Sequence, residues 1–152
     1  TTENEHANYY SLQGIIYIWI EKPKEALSAF HKNMLLMNEK NKSFYGIGTS
    51  LIKLGHYRQA EWFLLKAQHE EPYNLRIAFH ILENSIKENN NHKIYTRCKY
   101  IYDNFTIKSI NDSLITFKND STSLPVDLNL IKDRLNQYAF DNIFTSYNSR
   151  SK

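Results

Sequence analysis

The chain has 152 residues, 41% hydrophobic and 14% aromatic, with only 4 Gly and 3 Pro. That supplies apolar material for one compact domain or a small repeat array, and it excludes disordered, collagen-like and turn-rich small-β classes. With 19 basic and 16 acidic residues the net charge is +3, too weak a bias for a nucleic-acid binder, which concentrates its basic residues in a stripe. The one cysteine, Cys98, excludes an internal disulfide framework and a multi-cysteine zinc site.

The chain opens Thr1-Thr2-Glu3 without Met and is expected to be an excerpt of a longer protein or a processed product. The longest apolar stretch, Leu12 to Ile20, is interrupted by Gln13 and is too short to span a bilayer. Helices are predicted at about 8–20 and 24–38, with Pro23 in the turn that starts the second. Phe44, Ile47, Gly48, Leu51, Ile52 and Leu54 recur at three- and four-residue spacing, which predicts a third helix. Gly55 follows where a helix stop wants a positive φ. Tyr57, Ala60, Phe63, Leu64 and Ala67 make the stripe of a fourth helix, closed by Pro72. A fifth, about 75–87, has Asn74 as its expected N-cap. Asn89-Asn90-Asn91 breaks the pattern before a sixth at 92–104. Ile107, Ile110, Leu114, Ile115 and Phe117 fit a short helix, and 114–118 fits a strand equally well. A polar loop at 119–123 and Leu124-Pro125 lead into a helix at about 127–147, with Leu128, Ile131, Leu135, Tyr138 and Ala139 on one face. Residues 148–152 are expected to fray.

A shift of 34 residues superimposes the first two helix pairs. Gly14 falls on Gly48, Ala26 on Ala60, Tyr10 on Phe44, Phe30 on Leu64 and Ile20 on Leu54. A further shift keeps the apolar pattern but loses the small residues, since Ala60 falls on Ile94. The second copy, with Phe44, Ile47, Gly48, Leu51, Gly55, Tyr57, Ala60, Leu64, Ala67 and Pro72, closely resembles a tetratricopeptide repeat. The first copy departs from that pattern at Glu21, Asn33 and Asn38, and the third at Leu82, Ile94 and Cys98. The resemblance implies an all-α chain of antiparallel helix-pair repeats, an α-solenoid over residues 1–106 (7–40, 41–74 and 75–106), followed by a C-terminal extension at 107–152. The extension is read as an end cap, with a partner-binding or dimerising helix as the alternative. Gly14, Gly48, Ala26, Ala60 and Ala67 are small where paired helices would cross. Gly46 lacks that reason and is expected on the inner surface, open to a ligand's backbone.

No constellation carries catalysis. The six histidines form no four-spaced metal pair, Cys98 lies on an apolar stripe as a core thiol, and no serine sits in a nucleophile elbow. No cofactor, metal or catalytic residue is therefore expected. In a tetratricopeptide array the first helix of each pair lines the concave face. The resemblance carries Asn8, Ser11, Leu12, Ile15 and Trp19 to that groove from the first copy. It adds Tyr45, Thr49, Ile52 and Lys53 from the second, and Arg76, Phe79, His80, Glu83 and Lys87 from the third. Such a mixture of flat aromatic and polar groups suits a peptide or a helix. Family members that clamp a C-terminal carboxylate carry Lys and Asn where Ser11 and Ile15 stand, and Asn in place of Gly46, so only Arg76 is compatible and no such clamp is expected. The implied function is a noncatalytic protein–protein interaction scaffold, with no nucleic-acid partner and no membrane insertion of this chain. It would be the soluble part of a larger bacterial protein, cytoplasmic or periplasmic, with a membrane tether outside this segment. A secretion chaperone is the alternative.

Overall fold

A computed structural model describes residues 2–36 and 41–144, among which there are eight α-helices and no strand. The first pair is α1 (Thr2–Trp19) and α2 (Pro23–Leu36), the second α3 (Asn41–Lys53) and α4 (Tyr57–Glu70), and the third α5 (Leu75–Lys87) and α6 (Asn91–Asn104). From the first helix of the first pair to the second helix of the third, each packs on the next in sequence. α1 begins well before residue 8, at Thr2, and Glu5 lies near the positive end of the helix dipole. Pro23 opens α2 at the one helical position where its missing N–H costs nothing.

The repeat phase is written in the backbone. Glu21, Gly55 and Asn89 have φ of 59°, 81° and 58°, and they are the positive-φ residues of the described chain. They fall 34 residues apart, each in the turn inside a helix pair. The glycine expected to end α3 does so. Glu21, which departs from the family pattern in sequence, takes the same left-handed backbone without a glycine's freedom. The helix crossings repeat too. A Cβ on Gly14 would stand 2.6 Å from the ring of Phe30, and one on Gly48 would stand 2.7 Å from Leu64. Phe30 and Leu64 are themselves one repeat apart.

α5 starts where expected, with the Asn74 side chain accepting from the Ile77 N–H at 3.3 Å. Asn90 caps α6 in the same way through Lys93 N. The segment that fitted helix or strand is helical. It forms α7 (Ile107–Thr116), capped by Thr106, and a 3-10 turn at Phe117–Asn119. α8 (Leu128–Ala139), capped by Asp127, continues as a π-helical turn at Phe140–Phe144. The remainder of the helix expected to 147, the fraying end at 148–152 and the end of the helix expected to 38 lie outside the described residues.

Two apolar clusters form the core. One joins α1 to α4 around Phe30, Leu51, Leu64 and Ala60. The other joins α5 to α8 around Phe79, Leu82, Ile101, Ile131 and Leu135. α5 contributes Ile77 and Ile81 to the first and Leu75, Ala78, Phe79 and Leu82 to the second. No helix of the described residues is long and apolar enough to cross a membrane.

Candidate functional site

Between α7 and α8 the chain has no helix from Asp120 to Asp127, and Pro125 disfavours the helical region for Leu124. The main-chain groups of such a stretch need partners from elsewhere. They find them on side chains of α1 and α5. The Trp19 indole N–H donates to Ser123 O at 2.8 Å. The Arg76 guanidinium donates to Leu124 O at 2.8 Å. His80 Nε2 bonds Pro125 O at 2.8 Å. Glu83 Oε1 accepts the Asp127 N–H at 3.1 Å. Four side chains thus hold the main chain of an eight-residue strap, and the Leu124 side chain is buried in the first core cluster.

Arg76, His80 and Glu83 occupy one face of α5 over two turns. All are buried, and each charge has a partner. Arg76 pairs with Asp120 at 2.9 Å and lies 4.1 Å from the centre of the Phe117 ring. Glu83 has Lys87 at 3.7 Å, one turn further on. His80 sits between them. Pro125 O can only accept, so Nε2 carries the hydrogen. Burial lowers the imidazole's pKa against the opposing pull of Glu83, which keeps the ring neutral. Nδ1 then accepts the Tyr45 hydroxyl at 2.5 Å. Burial likewise raises the Tyr45 hydroxyl well above its usual pKa, so it stays protonated and donates. The Thr122 hydroxyl and N–H, the Ser123 hydroxyl and the Arg76 charge hold the Asp120 carboxyl below its ordinary range.

The residues named from sequence are therefore brought together unequally. Trp19, Arg76, His80 and Glu83 touch the strap directly, and Phe79 meets Phe117, in the 3-10 turn before the strap, edge-on. Tyr45 and Lys87 stand behind His80 and Glu83. Ser11 and Ile15 line a cleft of about 380 Å³ left between the strap and the first two pairs. Thr49 is buried, its hydroxyl turned back to Tyr45 O. Asn8 and Lys53 are exposed. Gly46 also borders the cleft, but a Cβ on it would run into the Phe30 ring. Its small size thus has a packing reason, contrary to the expectation that only a ligand explained it. Sequence reasoning missed Phe117, Asp120, Ser123, Leu124, Pro125 and Asp127. The one available signal was Leu124-Pro125, an extended dipeptide ahead of an Asp-capped helix.

The apolar face of α8 is used inside the chain. Ile131 and Leu135 are buried, Tyr138 stacks on Tyr102 with centroids 5.6 Å apart, and the Tyr102 hydroxyl donates to Leu135 O. Cys98 is buried beside Arg134, and burial pushes its thiol up to about 12. Among the described residues no cluster of His, Cys, Asp or Glu is arranged to hold a metal. Compared with protein-family models, curated protein sequences and solved structures, the chain gives no match.

Proposed function

We propose that this chain is a noncatalytic interaction module of the tetratricopeptide type, whose concave face takes an extended protein segment. The observation that carries the reading is the set of four side chains, Trp19, Arg76, His80 and Glu83, that bond the main chain of residues 123–127. Main-chain recognition gives affinity to any extended segment, and flanking pockets choose among side chains. The chain's own strap is the resident occupant, and a partner segment competes with it. The 34-residue recurrence of positive-φ turns and glycine crossings supports the repeat assignment.

The test uses a fluorescent peptide with the sequence of residues 118–128. Leu124→Ser weakens the strap without altering any groove residue. The peptide is expected to bind this variant, to bind wild type at least tenfold more weakly, and to lose the variant's affinity when His80→Ala is added. If the folded Leu124→Ser protein gives no binding, the groove is not a peptide site and the reading falls.

A further inference from the structure

The strap records what its groove accepts. Three consecutive carbonyls, Ser123 O, Leu124 O and Pro125 O, and the Asp127 N–H are bonded by side chains of α1 and α5. None of these four bonds uses the amide of residue 125, so a proline fits there. It also holds Leu124 out of the helical region beforehand, which lowers the cost of ordering the segment. Side chains are read beside the main chain. Leu124 is 4% exposed and belongs to the first core cluster. Val126 packs on the second. Asp120 pairs with Arg76 at 2.9 Å, and the Arg76 side chain is only 10% exposed. A charge so enclosed needs a carboxylate more than a surface charge does.

The strap is nonetheless an incomplete occupant. The cleft of about 380 Å³ runs beside its Asp120–Leu124 part, with Ile15, Phe30 and Tyr45 on the opposite wall. On the strap side stand Thr122 and Ser123, two short side chains whose hydroxyls bond Asp120. They turn to the strap's own carboxylate and leave the cleft open. A tethered segment is present at an effective concentration of about millimolar. A separate segment that makes only the same contacts therefore loses to the strap at micromolar concentration. A partner that displaces it needs one further contact, and the cleft is where that contact is available.

Resting on the interaction reading above, we propose that the partner is an extended protein segment with an acidic residue four positions before a Leu-Pro-aliphatic triplet, and with a large apolar side chain at one of the two positions before that leucine. The carboxylate takes the place of Asp120 on Arg76. The leucine enters the first core cluster where Leu124 sits, and the aliphatic residue lies where Val126 does. The large side chain fills the cleft against Ile15 and Phe30, where Thr122 and Ser123 leave room. A segment with a basic residue at the first position is rejected, because it sets a like charge against the enclosed Arg76.

Variants of the fluorescent 118–128 peptide, titrated on the Leu124→Ser protein, test the proposal with no further change to the folded chain. Peptides carrying Asp120→Asn or Leu124→Ser are each expected to bind at least about tenfold more weakly than the parent peptide. Asn keeps an acceptor for the Thr122 bonds, so its loss reports the charge. That peptide should also lose most of the salt dependence of binding. Of the Thr122→Leu and Ser123→Leu peptides, one should bind at least about fivefold more tightly than the parent by filling the cleft. Equal affinity of the parent, Asp120→Asn and Leu124→Ser peptides overturns the motif and leaves main-chain recognition standing. A failure of both Leu peptides to gain affinity overturns the role given to the cleft. No binding by any peptide overturns this proposal together with the reading it rests on.

Discussion

His80 is enclosed and neutral in the fold, whereas in the unfolded chain it titrates near about pH 6.5. Below that pH the unfolded state binds more protons, so stability falls as the pH drops from about 6.5 toward the lower folded pKa. Urea midpoints should thus be lower at about pH 5.5 than at about pH 7.5, and His80→Gln should shrink the difference. An equal difference in both proteins would remove His80 as the cause. Cys98 offers a simpler check. With its thiol pushed up to about 12 and its side chain buried, almost no reactive thiolate is available near neutrality. A disulfide reagent should label it only as fast as the protein opens, and urea should accelerate labelling by orders of magnitude. Gly46→Ala, which drives a methyl into the Phe30 ring, should cost about 1–3 kcal/mol in chemical denaturation. The partner substitution Phe30→Leu should recover part of that loss.

At the level of elements, α5 explains more than any other helix. Residues 75–85 are buried without a break, because α4 and α6 cover two sides and the strap covers a third. Arg76 is the strap's main fastening. Arg76→Ala removes bonds to Leu124 O and Asp120 and the stack on Phe117, an expected loss of about 2–3 kcal/mol. Limited proteolysis should then cut within residues 118–127. Arg76→Lys should rescue little, since an ammonium supplies neither the fork nor the flat face. The helices were legible in sequence because their signals are local, such as Pro23 at a start, Gly55 at a stop and Asn74 at a cap. The α5 side chains that meet the strap were among those singled out through the repeat phase. The strap was not, because an extended segment has no apolar period. Its bonds join residues 44 to 104 positions apart, a range that no spacing rule reaches. Gly46 misled for the same reason, as the Phe30 ring that fills its space comes from the preceding pair.

Across the whole molecule, the two clusters are tied by α5 and by the strap, which puts Leu124 into the first and Val126 into the second. Denaturation should therefore be one transition. Fluorescence from Trp19 and Trp62, both in the first two pairs, should coincide with far-UV circular dichroism from all helices. Separate midpoints would show that the C-terminal half folds alone. The order in which the strap and its groove are synthesised has a consequence in time. Arg76 precedes Leu124 by 48 residues, and ribosomes add about 5–20 residues per second. For roughly 2–10 s of synthesis, then, Arg76, His80 and Glu83 exist in a chain whose strap has not yet been made. During that window these three side chains have no strap to bond.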